Sequence, residues 1–445
     1  MIYVFYILAA VLVWFSYKSV RGGAAYLNYF KQELAKPQSI YTPFATIIAP
    51  YKGLDEGHEA NILALLEQDY PNFEIIFVVD DERDPAVSII EELLSYPDAE
   101  TERSVLQDRQ DEQDSSEMKN VANHPENPVY PVNFSSPSPR LGSKLIMAPK
   151  ATNSSQKVEN LREAVLHADS KSEAFVFVDS DARPNKDWLR LLVGPLADEE
   201  VGASTGYRWF IANTPTFASE LRGVWNASIA SSLGPNTKSN FCWGGSMAIR
   251  RYVFERLQIR EKWRGTLSDD FTLTRVMNAA ALKIHFVPQA VTLSIGACTF
   301  HELFEFTTRQ MKITRVYARQ LWLLSFVGSA LFCGVMISAF AIAVFSRQNT
   351  AAVWVSLLVL SIVSVFSIGK STFRLWAVSL VLDKYTPELN RQFFAHNVLW
   401  LLAPVLFLAN CGTALFSRTI NWRGTVYEMV SPEKTNIIEK RKIGS

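Results

Sequence analysis

Two stretches decide the architecture: Glu74 to Asp81 (EIIFVVDD) and Ala174 to Asp181 (AFVFVDSD). Each is a short run of Val, Ile and Phe that ends on carboxylates. Ala45 to Ala49 (ATIIA) and Lys144 to Ala148 (KLIMA) have the same apolar character. Amphipathic stretches around Ala60 to Gln68, Pro85 to Leu94 and Val158 to Ala168 separate these runs. Continuous apolar strands alternating with helices indicate a parallel sheet covered on both faces, an α/β fold. Such sheets bind ligands at the carboxyl ends of their strands. The residues that follow each apolar run therefore carry the functional signal.

Those residues are acidic. Asp80 and Asp81 follow one run, and Asp179 and Asp181 follow the other with Ser180 between them. An Asp-x-Asp at a strand end can hold a hard divalent cation, Mg2+ or Mn2+, through carboxylate oxygens, and the cation in turn takes diphosphate oxygens. Asp is also common after strands simply because it suits turns and caps. Further on, Asp269 and Asp270 follow Ser268 and precede an amphipathic stretch, Phe271 to Ala281. Two functions suit that position: a helix N-terminus favoured by carboxylates, or a general base that takes a proton from a hydroxyl. Arg309, Lys312 and Arg315 share a helix face. They suit a membrane surface, contact with a diphosphate, or both. Phe241 to Arg250 (FCWGGSMAIR) holds a Gly-Gly pair that allows close backbone approach. Leu221, Val224, Trp225, Ile229 and Leu233 mark a helix that either packs in a core or lines a path for a lipid acceptor. His58, His167, His285 and His301 show no ligand spacing, so no metal is assigned to them.

Composition narrows the class. The chain has 445 residues and no formal net charge, so no global field recruits nucleic acid. Four cysteines, Cys242, Cys298, Cys333 and Cys411, lie far apart and read as reduced, buried thiols. The apolar fraction is 48% and is concentrated in segments. Met1 to Tyr17 is uncharged and followed by Lys18 and Arg21, which places the next domain in the cytosol by the positive-inside rule. Leu321 to Phe345, Ala351 to Ile368 and Asn397 to Phe416 read as three further crossings, and Ser371 to Leu382, with Arg374, as interfacial or re-entrant. Four crossings would leave the tail outside, whereas its basic residues argue for the inside. The expected organisation is an anchor over 1–20, a catalytic domain over 42–300, an interfacial helix over 301–320, membrane segments over 321–417 and a basic tail over 418–445. The polar stretch 98–140 lacks large apolar residues and is expected to be a disordered insertion. A bacterial plasma membrane is the expected location.

The order of motifs resembles the family 2-like inverting glycosyltransferases with a GT-A fold, and within them the ceramide glucosyltransferase group. Ala49-Pro50-Tyr51-Lys52-Gly53-Leu54-Asp55 is similar to that group's Pro-x-Lys-Gly-x-Asp opening. Gln68 to Glu74 (QDYPNFE), Asp80 to Ala86 and Lys157 to Leu161 (KVENL) match further motifs in sequence order. Asp179-Ser180-Asp181 stands at the second aspartate position and Asp269-Asp270 at the third. Asn421 to Tyr427 (NWRGTVY) resembles the closing Trp-Arg-x-Gly-x-x-Tyr motif.

The resemblance implies transfer of a hexose, from UDP-glucose, with inversion to a lipid hydroxyl such as that of ceramide. It implies that Asp81, with Asp80 or Asp84, contacts the donor nucleotide. Lys157, Asp179, Arg309 and Lys312 join in donor binding, Asp181 with Asp179 holds Mg2+ or Mn2+, and Asp270 is the base. The implied partners are a UDP-sugar and a membrane lipid. The family's Arg-x-x-Arg-Trp becomes RQMKI here: Lys312 replaces the second Arg and Ile313 the Trp. Lysine keeps the charge but loses the planar fork, which bears on the acceptor. A different UDP-sugar or a hopanoid-associated lipid, a processive polysaccharide synthase and an inactive membrane scaffold are the rival expectations.

Overall fold

Strand β1 (Ala45–Pro50) pairs in parallel with β2 (Phe73–Val79) on one side and β4 (Ala174–Val178) on the other. The computed structural model describes residues 2–95, 142–346 and 348–440, so the insertion expected over 98–140 lies outside the described residues. Strand β3 (Lys144–Met147) continues the parallel edge next to β2. Beyond β4 come β7 (Ser246–Arg250), β5 (Val201–Thr205) and β8 (Lys283–Phe286), with β7 antiparallel to both its neighbours. The order is β3-β2-β1-β4-β7-β5-β8, a mostly parallel sheet. A short parallel pair, β6 (Arg208–Ile211) with β9 (Thr292–Ile295), lies beside it.

The continuous apolar strands are explained by burial on both faces. Side chains alternate across a strand, so Val176 and Val178 join one core while Phe175 and Phe177 join the other. The first core is capped by helices α2 (His58–Leu66), α3 (Pro85–Ser95) and α5 (Trp188–Val193). The second lies under α4 (Gln156–Ala164), α7 (Arg251–Arg256), α8 (Ile259–Lys262) and α9 (Asp269–Ala279). Helix α6 (Phe217–Ala230) packs on β6 and turns Leu221 and Val224 toward Cys298 and Leu399, a junction with the apolar C-terminal region.

Helix α1 (Ile2–Leu34) is 33 residues long, α11 (Arg319–Phe345) is 27 and α12 (Thr350–Ser379) is 30. All three are long and apolar enough to cross a membrane. The α/β domain thus has apolar helices at both ends, as expected, but two boundaries differ. Ser371 to Ser379 is the last part of α12 and not a separate segment. Arg374 is tolerated there because it is buried and faces His396 at 3.5 Å and Ser371 at 3.5 Å. Close packing of α1 on α12 brings Gly23 within van der Waals range of the Lys370 backbone, where any side chain would crowd it. Asn397 to Phe416 is not one straight helix. It divides between α13 (Thr386–Val398), a short 3-10 turn and α14 (Ala403–Phe416), and the chain bends by 58° at the break.

Helix α10 (Phe300–Tyr317) runs from the α/β domain to α11. The tail, read from its charge alone, instead folds. Strands β10 (Thr419–Trp422), β11 (Thr425–Ser431) and β12 (Lys434–Lys440) make an antiparallel sheet. Ile420, Tyr427 and Met429 bury against Leu267, Ile313 and Tyr317, so the tail docks on the α/β domain beside the start of α9.

Candidate active site

The carboxyl ends of β1 and β4, the start of α9, helix α10 and the β10–β11 turn open into one cavity of about 1000 Å³. Asp179, Asp181, Asp269, Asp270, Lys157 and Arg309 all line it. Residues far apart in sequence are brought here because β4 ends in the centre of the sheet while α9 begins beside it.

Lys157, on α4, reaches Asp179 at 2.7 Å and Asp269 at 3.2 Å. Burial opposes its charge, yet Asp179, Asp269 and Asp270 hold its ammonium above the usual lysine range. Burial also lifts the Asp269 carboxyl to about 6, with Asp270 and Asp179 adding to the rise and Lys157 opposing it. The Gly-Gly pair is explained at this point. A side chain at Gly244 would meet Asp269 Oδ2 at 2.4 Å and Lys157 Nζ at 2.7 Å. The bare backbone instead lets Gly244 N donate to Asp270 Oδ2 at 3.3 Å.

Asp270 stands at the helix start that its position suggested and also lines the cavity. Ser268 is the N-cap of α9, and Phe271 N donates to Asp270 Oδ1 at 2.7 Å. Ser268 Oγ also donates to that oxygen. One carboxylate oxygen is thus held by the helix start, and the other lies at the cavity beside Gly244.

Sequence patterns did not single out Arg208, at the first position of β6. Its guanidinium donates to Asp181 at 2.9 Å and to Asp179 at 3.0 Å. It also lies 4.7 Å from the Trp243 ring centre and 5.4 Å from that of Phe210. Burial would raise the Asp179 carboxyl, but Lys157 and Arg208 hold it below the usual range. Burial dominates for Asp181, whose carboxyl is raised despite Arg208. The guanidinium bridges both carboxylates, and a pair of carboxylates is of the charge and ligand type that a hard divalent ion takes. Among the described residues no group of three or more His, Cys, Asp or Glu side chains could hold a metal ion. Further ligands to such an ion would have to come from the donor or from water.

Asp80 and Asp81 are placed one strand away and do not line the cavity. Lys150 pairs with Asp80 at 2.9 Å and with Asp81 at 3.2 Å, and Lys52, which does line the cavity, lies 3.4 Å from Asp80. Hydrogen bonds from Arg83, then Lys150, hold the Asp81 carboxyl well below its usual range. Asp84 accepts from Gly53 N at 2.9 Å and Ala86 N at 3.0 Å, so it fixes the loop after β1 and starts α3.

The three basic residues of α10 separate. Arg309 lines the cavity between Phe306 and Trp422, with its centre 5.6 and 5.7 Å from those rings. Burial pulls its pKa down to about 10. Lys312, expected at the donor, is turned away: its Nζ donates to Thr419 O at 2.7 Å and Ser417 Oγ at 3.3 Å. Arg315 donates to Ala414 O. The i, i+3, i+6 spacing puts these residues on one broad face, but the first points at the cavity and the other two satisfy carbonyls where α14 ends and the tail begins.

The tail supplies a further cation. Arg423, in the β10–β11 turn, pairs with Asp55, and Asp55 accepts from Ser180 Oγ at 2.7 Å. Arg423 has φ 50°, a left-handed conformation that tightens the turn, with Gly424 following at φ 74°. Gln156 N donates to the Tyr427 hydroxyl at 3.2 Å and ties the tail to α4.

The far wall of the cavity is apolar. Trp225, Ile229, Phe306, Phe407 and Leu321 carry it from Arg208 to α11 and α14.

The chain is similar to several known proteins. A ceramide glucosyltransferase of Komagataella phaffii (strain GS115 / ATCC 20864) is 36% identical over 80 residues, which is 16% of this chain and 16% of that protein. Among solved structures, the mannosyltransferase PcManGT from Pyrobaculum calidifontis in complex with GDP-Man and Mn2+ is 18% identical, with 90% of this chain and 99% of that one covered and a TM-score of 0.40. S. aureus TarS in complex with UDP-GlcNAc is 12% identical, with 89% and 99% covered and a TM-score of 0.36. The profile of glycosyl transferase family 21 matches residues 3–114 and 133–435, nearly the whole length, and the chain belongs to that family.

Proposed function

We propose that this glycosyltransferase moves a hexose from a UDP-sugar, UDP-glucose in the first instance, to a lipid hydroxyl such as that of ceramide, with inversion. The observation that carries this is the continuity of one cavity, which joins the acid and cation cluster at the strand ends to an apolar wall on α11 and α14. A charged donor suits the first part and a lipid acceptor the second.

Asp179 and Asp181 would hold Mg2+ or Mn2+, whose chemistry is to neutralise charge on the departing diphosphate. Asp270 takes the proton from the acceptor hydroxyl as its oxygen attacks the anomeric carbon from the face opposite the diphosphate. The bond to the diphosphate breaks, and Arg309 and Arg423 face the charge that develops there. Lys157 keeps Asp179 and Asp269 in place beside it.

The docking of the tail sheet against Leu267 and Gln156 supports placing tail and catalytic domain on one side of the bilayer. Helices α1, α11 and α12 then cross, and the bent α13–α14 pair turns back without crossing. Lys18 and Arg21 after the first apolar stretch put that side in the cytosol.

The test is transfer of label from UDP-glucose into lipid by membranes containing the chain, with ceramide or a total lipid extract as acceptor. Label that appears in a lipid and disappears with EDTA supports the proposal. No label from a panel of UDP-sugars, despite measurable UDP binding, would support the scaffold alternative.

A further inference from the structure

Arg208 makes the Asp179–Asp181 pair complete without a metal. One guanidinium takes an oxygen of each carboxylate through two separate nitrogens, at 2.9 and 3.0 Å. Both oxygens of Asp179 are engaged, because the second is held by Lys157 at 2.7 Å. A divalent cation brought to this pair with Arg208 still in place would add two positive charges to two carboxylates already paired with Arg208 and Lys157. Either the cation stays out or the guanidinium leaves.

The structure provides for the second case. The Arg208 backbone is fixed by β6 pairing and by Asn226, whose side chain donates to the Arg208 carbonyl at 3.1 Å. The side chain is 12% exposed and lines the cavity. Phe210 and Trp243 lie beside the guanidinium, so aromatic faces already share its charge with the two carboxylates. An incoming diphosphate offers it a second bidentate partner.

We propose that Arg208 is a displaceable counter-ion. It closes the Asp179–Asp181 pair to free divalent cations and is drawn off by a metal that arrives with a nucleoside diphosphate. This rests on the function proposed above. It makes metal binding conditional on the donor, so that a free cation does not occupy the site alone. Arg208 acts here as a positioning residue for the pair.

The test is Mn2+ titration of the detergent-purified full chain, followed by the electron paramagnetic resonance signal of free Mn2+, with and without UDP. Without UDP, Arg208→Gln is expected to bind Mn2+ at least about ten-fold more tightly than the parent, with Arg208→Lys between them because it keeps one charge and loses the fork. UDP should tighten the parent much more than Arg208→Gln. Adding Asp179→Asn to Arg208→Gln should cancel the gain, which a general loosening of the fold would not do. Should Arg208→Gln fail to accumulate, Arg208→Lys alone carries the comparison. Equal Mn2+ affinity in parent and variants, with UDP still promoting binding, overturns the counter-ion and leaves the metal-dependent function standing. No Mn2+ binding by any of them, even with UDP, overturns both.

Discussion

Lys157→Met removes the cation that Asp179 and Asp269 share at 2.7 and 3.2 Å. Asp179 keeps Arg208, but Asp269 loses its ion partner, and its Oδ2 already has no hydrogen-bond partner among the described residues. Breaking a buried pair from one side costs about 3–5 kcal/mol. Lys157 is 14% exposed and water reaches the cavity, so roughly 2–4 kcal/mol is the better figure. At about 2–4 °C per kcal/mol for a domain of this size, the melting temperature should fall by roughly 5–15 °C. Tryptophan fluorescence of the detergent-purified chain, heated at one fixed rate, measures this. The Lys157→Met/Asp269→Asn double variant should regain part of the loss, because the uncompensated carboxylate is gone. The coupling should be about 0.5–3 kcal/mol. Lowering the pH should also shrink the penalty. The folded state raises the Asp269 value from 3.8 to about 6, so it favours the protonated form. The associated stability is present in full below pH 3.8 and is lost as pH rises through about 6. A Lys157→Met chain that melts within about 2 °C of the parent, or a double variant whose loss is the plain sum, would refute this account of the cluster.

Three further outcomes are expected. Asp270→Asn should lower transfer by about 10²–10⁴-fold with little change in donor affinity, and full activity would remove Asp270 from the base role. The acid side of the pH profile of kcat/KM should bend near 6 as Asp269 takes a proton and gives up its ion pair with Lys157, which keeps Asp179, and the bend should vanish in Asp269→Asn. Tyr427→Phe should cost about 1–3 kcal/mol by thermal unfolding, because the buried Gln156 N–H loses its acceptor. An unchanged melting temperature would mean that the tail does not lean on this bond.

What could be read from sequence follows from where the physics is local. Strands β1, β2 and β4 announce themselves because burial on both faces demands unbroken apolar runs, and a carboxylate directly after such a run is conspicuous. Asp179 and Asp181 were legible for that reason, and Asp270 because it opens an amphipathic stretch after Ser268. Strands β5 and β6 are short, and VGAST has too little apolar bulk to stand out, so Arg208 was hidden although its partners lie only 27 and 29 positions earlier. Lys312 was misplaced because helical spacing fixes a face, while the end of α14 decides where a long side chain finds an acceptor. Arg423 stood within a recognised motif, but its place beside Asp55 depends on a tail sheet whose strands look, in sequence, like a charged terminus. A positive φ at Arg423 gave no signal at all, since arginine is not a residue associated with left-handed turns.

The tail sheet also bears on the order in which the molecule is made. Arg423 and Tyr427 stand 368 and 271 positions after their partners Asp55 and Gln156, with α11, α12 and the bent α13–α14 pair in between. During synthesis the α/β domain, the long helices and the bent α13–α14 pair all precede them. A nascent chain that already holds its acidic pair therefore still lacks the cation opposite Ser180 and the hydroxyl that braces α4. The centre closes only when the last apolar helix has been made and the tail folds back onto it, so on the proposed topology activity would appear after membrane insertion and not before.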